Sequence, residues 1–195
     1  MANDLVFSNL FVALENSPNR ANLSSFSADL KDGGVNGFGT LELDNSLNFE
    51  LSANTDNVSI AYLLPISKMS NVDGKLFANM ELRGSGYDIK SIGGSGSFVI
   101  NDFEIPTIDM ENEICAILAP FTGSGHTMLL ANKTLLEDLN GKIQLEKGNL
   151  FVRDLRTTLG NMDFKSRGEL RVNNNFQFDV TIRTNTCLLY TSRAH

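Results

Sequence analysis

GTLELDNSLNFEL, residues 39–51, alternates apolar and polar residues on both sides of a short polar break. Successive side chains of a strand point to opposite faces, so Leu41, Leu43, Leu47, Phe49 and Leu51 fall on one face. Glu42, Asp44, Asn48 and Glu50 fall on the other. Asp44-Asn45-Ser46 between the runs is turn chemistry, and the whole stretch reads as an antiparallel hairpin. The same grammar returns as GELRVNNNFQFDV, residues 168–180. There Leu170, Val172, Phe176, Phe178 and Val180, continued by Ile182, share a face, and Asn173-Asn174-Asn175 supplies the turn.

Between the two copies the period stays at two. Leu76, Ala78, Met80 and Leu82 alternate with Lys75, Asn79, Glu81 and Arg83, and Ile143 and Leu145 alternate with Lys142, Gln144 and Glu146. Lys147-Gly148-Asn149 marks another hairpin turn, and the glycines at 33–34, 84–86, 93–96 and 123–125 mark further turns or strand entries. One apolar and one wet face per strand is the pattern of antiparallel sheets. The chain is therefore expected to be mainly β, with roughly nine to eleven antiparallel strands.

One segment keeps a different period. In DMENEICAILAPF, residues 109–121, Met110, Ile114, Ile117, Leu118 and Phe121 lie on one helical stripe. Asp109 is placed to cap the first free amides, Glu111 and Glu113 suit the positive end of the helix dipole, and Pro120 and Gly123 are expected to end it. Ile114, Ile117, Leu118 and Phe121 are expected to pack on the apolar face, either closing or narrowing one end of it or forming an ordinary core helix. A second short helix, or an irregular linker, is expected in TMLLANKTLLEDL.

Composition narrows the function classes. Of 195 residues, 42% are hydrophobic and 20% charged, which suits a folded domain and is too apolar for a disordered chain. The net charge of -7, with no Lys/Arg cluster along the sequence, disfavours a nucleic-acid partner. No run approaches the roughly 20 apolar residues of a membrane span, and no signal-peptide pattern opens the chain. Residues 1–186 read as one domain and as a piece of a longer protein. Residues 187–195, CLLYTSRAH, resemble the translation of a sequencing adapter and are excluded from the fold. That exclusion leaves one cysteine, Cys115, and one histidine, His126.

A search for reactive constellations finds none. The acidic stretch Asp102, Glu104, Asp109, Glu111, Glu113 lacks the ligand order and glycine of a calcium loop, and reads as a solvated turn feeding a helix start. Gly74-Lys75 and Gly141-Lys142 are followed by Leu76 and Ile143 where a phosphate loop needs Ser or Thr. His126 has no second histidine for a zinc site, and Cys115 lies beside the apolar stripe as a packed thiol. No catalytic residue, metal ligand or cofactor is nominated, and a non-enzyme is expected.

The block LEDLNGKIQLEKGNLFVRDLRTTLGNMDFKSRGELRVNNNFQFDVTIR, residues 136–183, resembles the C-terminal region of the AsmA family of bacterial envelope proteins. The resemblance rests on two phrases. One is Leu139, Gly141, Ile143, Leu145, Gly148, Leu150; the other is Gly168, Leu170, Val172 and then Phe176, Phe178, Val180. GGSGSFVINDFEIPTIDMENEICAILAPF upstream is similar to the same family. The resemblance implies that the strands form one long, curved, open sheet, a repeating β-groove whose apolar face carries phospholipid or another acyl lipid. It also implies a periplasmic location in a bacterium with two membranes, a membrane anchor preceding this chain, and other envelope proteins as partners.

On that reading the groove is lined by Leu41, Leu43, Leu47, Phe49, Leu51, Leu76, Met80, Leu82, Ile143, Leu145, Leu170, Val172, Phe176, Phe178, Val180 and Ile182. The competing reading is a structural or outer-membrane-assembly β-sandwich with no ligand, because sealed and open sheets share the same periodicity.

Overall fold

The computed structural model describes residues 6–63, 72–106, 108–122, 133–160, 162–170 and 176–184. Ten strands form one antiparallel sheet in chain order, each hydrogen-bonded to the strand before it. They are β1 (Ser8–Ser17), β2 (Arg20–Leu30), β3 (Gly33–Glu42), β4 (Asn48–Ser59) and β5 (Asp73–Ser85), followed by β6 (Gly93–Pro106), β7 (Lys133–Glu146), β8 (Asn149–Leu159), β9 (Met162–Leu170) and β10 (Phe176–Thr184). Helix α1 (Ile60–Leu63) lies between β4 and β5, and helix α2 (Met110–Thr122) lies between β6 and β7. The sheet is open, with β1 and β10 as its two edges, and no second sheet exists among the described residues. The segment TMLLANKTLLEDL holds neither a second helix nor a linker from Lys133 onward, because β7 begins there. Its residues 127–132 fall outside the described set, as do His126, Val172, Gly123 and residues 187–195.

The opening hairpin is β3 and β4. Its turn is held by the Asp44 carboxylate, which accepts from the Ser46 amide (2.9 Å), the Ser46 hydroxyl and the Leu47 amide (3.2 Å). Those bonds stabilise the ionised form and hold the Asp44 carboxyl below the usual carboxylate range. Leu43 and Leu47 were expected on strands, but both belong to the turn. Leu47 has left-handed backbone (φ 48) and the Leu43 amide donates to the Asn19 carbonyl at 2.8 Å. A connection this tight consumes the two apolar residues that flank the polar break.

Residues paired across strands share a face, so the register can be followed over the whole sheet. One row runs Leu14, Leu23, Gly39, Leu51, Leu82, Gly94, Leu145, Leu150, Leu170, Phe176, through all ten strands. The next runs Val12, Phe26, Gly37, Ala53, Met80, Gly96, Ile143, Val152, Gly168, Phe178. Neither row contains a charged residue.

Glycines in these rows and in the rows beside them make room for neighbours. A Cβ on Gly37 would lie 2.6 and 2.8 Å from Phe26 ring atoms, and one on Gly84 would lie 2.6 and 2.7 Å from the ring of Phe49. On Gly141 it would meet the Phe98 ring at 2.9 and 3.0 Å. In each case glycine and phenylalanine are cross-strand partners. The ring covers the gap that the missing side chain leaves in the sheet surface.

Five strands carry a bulge centred on Asn or Asp in left-handed conformation: Asn9 on β1, Asn57 on β4, Asp102 on β6, Asp138 on β7 and Asp154 on β8 (φ 50–55). Short polar side chains tolerate this backbone better than other non-glycine residues. Each bulge adds one residue to its strand and so restores the apolar phase beyond it. On β8, Leu150 and Val152 face the same way as Leu155 only because Asp154 is inserted between them. The bulges on β6, β7 and β8 are near neighbours across the sheet, since Phe103 pairs with Leu136 and Asn140 pairs with Arg156.

The buried core lies at the end of the sheet that carries both helices. Ile60, Val72, Ile100 and Leu139 form one cluster, flanked by Leu76, Phe98, Phe103, Leu136 and Leu155. Cys115, Leu159 and Met162 form a second, with Met110, Ile114, Leu136 and Phe164 packed against it. Each such side chain removed from water contributes about 1.5–3 kcal/mol, so the stability of the sheet is concentrated at this end.

Asp109 caps α2 as expected, its carboxylate accepting from the Asn112 amide at 3.0 Å. The buried Thr134 hydroxyl on β7 accepts from the Met110 amide (2.9 Å) and donates to the Ile108 carbonyl, fixing where α2 begins. Two expectations about α2 fail. Ile117 is 66% exposed, because the helix docks through Met110, Ile114 and Cys115 and turns Ile117 to solvent. Pro120 lies inside the helix, which continues to Thr122. The side chains of Leu118 and Phe121 are outside the described set.

Candidate apolar binding face

Beyond the core, on the side of the β3–β4, β5–β6 and β7–β8 connections, neither α1 nor α2 covers the apolar face; the β5–β6 connection there carries one turn of 3-10 helix, Ile89–Ser91. Leu23, Phe26, Phe49, Leu51, Met80, Leu82, Ile143, Leu145, Leu150 and Val152 are half-buried there, shielded by one another. Leu41 on β3 is exposed at the margin, as are Val12 and Leu14 on β1 and Val180 and Ile182 on β10. Strands step by about 4.8 Å, so nine steps give an apolar track of about 43 Å measured across the strands.

The register places residues of both repeated hairpins on this face. Leu41 pairs with Phe49 and Gly39 with Leu51 in the first copy; Leu170 pairs with Phe176 and Gly168 with Phe178 in the second. Leu76 lies on the same face but belongs to the covered end, against the first core cluster. Leu43 and Leu47 sit at the rim of the face, in the turn. Ile114 packs against the second core cluster, while Ile117 does not join the face.

Sequence periodicity missed several residues of this face: Leu23 and Phe26 on β2, and Leu150 and Val152 on β8. The signal was present, but a register shift between Leu23 and Phe26 and the Asp154 bulge after Val152 break the simple alternation that would have revealed it.

The open part of the face carries no charged residue, and no group of three metal-ligating side chains exists among the described residues. Asp102 and Glu104 lie on strand β6, not in a turn. Glu111 is the one carboxyl in this acidic stretch with a raised pKa, pushed up first by burial and then by the charge of Asp109. It stands beside Gly160 at the helical end, away from the open rows. Cys115 is buried in the second core cluster.

The opposite face is wet. A cleft of about 760 Å³ lies over Thr40, Glu50, Ser52, Glu81, Arg83, Ser95 and Gln144, whose register partners alternate with the apolar rows. The two faces of one sheet thus differ: charge-free hydrocarbon on one side, and on the other mixed charge with the exposed side chains of Phe38 and Val99 among it. No family model matches the chain, and neither the curated proteins nor the solved structures contain a match to it.

Proposed function

We propose that the chain is a non-enzymatic lipid-binding or lipid-transfer segment of a bacterial cell-envelope protein, holding phospholipid acyl chains against the open apolar face. The observation that carries this reading is the pair of charge-free rows running through all ten strands. Each acyl methylene removed from water is worth about 0.8 kcal/mol, so a continuous track of Leu, Ile, Val, Met and Phe suits a long hydrocarbon without selecting its headgroup. The AsmA-like phrases in residues 136–183 point the same way, toward the periplasm and a membrane-anchored parent protein. On this reading the glycines keep the track continuous, by seating the rings of Phe26 and Phe49 close to the sheet.

Native mass spectrometry of the purified chain tests it. Phospholipid is expected to co-purify and to be lost when detergent competes for the face. A chain that emerges lipid-free from a lipid-rich host, and takes up none on mixing with phospholipid vesicles, would overturn the proposal.

A further inference from the structure

The wet face of β7, β8 and β9 gathers cations in an unusual order. Lys142 on β7 is the direct cross-strand partner of Arg153 on β8, and Arg156 on β8 is the direct partner of Lys165 on β9. Like charges placed opposite one another destabilise a sheet, and here two such pairs adjoin. Among the described residues no ion pair engages any of the four, whereas Arg167, beside them on β9, meets Asp179 at 3.5 Å. Five of the chain's 16 lysines and arginines thus sit together in a molecule of net charge -7.

Two clefts flank this group. One, of about 710 Å³, is lined by Lys142, Arg153 and Arg167 on one wall and by Asn79, Ser95 and Ser97 on the other. The second, of about 380 Å³, is lined by Arg156, Lys165 and Arg167. Arg167 and Asp154 form the wall common to both. The Arg153 guanidinium lies over the Phe151 ring, 5.2 Å from its centroid, within cation–π range. Three acids, Glu81, Asp154 and Asp179, share the clefts, so the cations exceed them.

We propose that this cationic pair of clefts binds a phosphoryl anion carrying two or more negative charges. A dianion bridging Lys142 and Arg153 converts their repulsion into two attractive contacts, and the guanidinium fork matches phosphate oxygens in pairs. A diphosphate has the charge to engage both clefts across Arg167. The site lies on the face opposite the apolar rows and does not depend on the lipid reading. The shared chemistry, a phosphate with two ionisable oxygens, occurs in soluble diphosphate and in a phosphatidic acid headgroup.

The test compares thermal midpoints of the parent chain and of Lys142→Gln and Arg153→Gln, with sodium pyrophosphate or with sodium chloride at equal ionic strength. The parent is expected to gain several degrees in pyrophosphate beyond the chloride control. Both variants should melt at or above the parent without ligand, since a repulsion is removed, and should lose most of the pyrophosphate gain. Flotation with phosphatidic acid vesicles, against phosphatidylcholine vesicles, separates the sources. Recruitment abolished by pyrophosphate assigns the headgroup, and a pyrophosphate gain without recruitment assigns the soluble anion. A gain matched by chloride, or one retained in both variants, overturns the proposal.

Discussion

Gly37 shows how much of this sheet is decided by a missing side chain. Its Cβ would overlap the Ser52 carbonyl oxygen and press into the Phe26 ring at 2.6 and 2.8 Å. Backbone cannot step aside as a flexible side chain can, so β3 and β4 would have to separate locally. Gly37→Ala is expected to lower unfolding stability by about 1–3 kcal/mol, the usual range for overpacking, and chemical denaturation will measure it. A loss under about 0.5 kcal/mol would show that the strands accommodate the methyl. In sequence these glycines look like punctuation, and at Gly33, Gly86 and Gly93 they do sit at strand starts or in a turn. Gly37, Gly39, Gly94, Gly96 and Gly141 instead occupy strands, where they yield space to the ring of Phe26 or Phe98 or to Leu51, Leu82 and Ile143, and nothing local distinguishes such a glycine from one in a turn. Leu47 misled in the opposite direction, because alternation places it on a strand and the Asp44 turn places it in left-handed backbone.

At the scale of elements, α2 is the instructive case. Its existence, its start at Asp109 and its apolar stripe were legible, because capping and a 3.6-residue period are local properties. Which edge of the stripe meets the sheet was not, since that depends on Leu136, Leu159 and Met162, brought in from distant strands. The docking edge is Met110, Ile114 and Cys115, so Ile114→Asp should cost about 3 kcal/mol by placing a charge against the second core cluster. Ile117→Asp, on the exposed edge, should stay within about 0.5 kcal/mol of the parent in the same thermal or urea melts. Equal losses would contradict this docking geometry. The bulges at Asp102, Asp138 and Asp154 were hidden for a related reason. Asp within an apolar run suggests a break in the strand, whereas here it lengthens the strand by one residue and keeps the phase.

For the whole molecule, a period of two made antiparallel strands legible but not whether their apolar face is open or sealed; the ten strands form one open sheet, and the register joins the two repeated hairpins on one face. The covered end was less legible, because burial of Ile100, Leu139 and Met162 depends on connections that carry no periodic signal. What remains apolar and uncovered is the basis of the proposed lipid role, and adjacent residues on one strand test it most directly. Ile143 and Gln144 are neighbours on β7 with opposite faces, Ile143 beside Gly96 and Val152, Gln144 beside Ser95 and Phe151. The decisive measurement is the affinity of a fluorescent phospholipid for the parent, Ile143→Asp and Gln144→Asp, each first shown by its melt to be folded. Loss of contact with about two methylenes at 0.8 kcal/mol each corresponds to roughly tenfold, so Ile143→Asp should weaken binding by about tenfold or more. Gln144→Asp should bind as the parent does, whereas a folded Ile143→Asp chain with parental affinity would contradict the account.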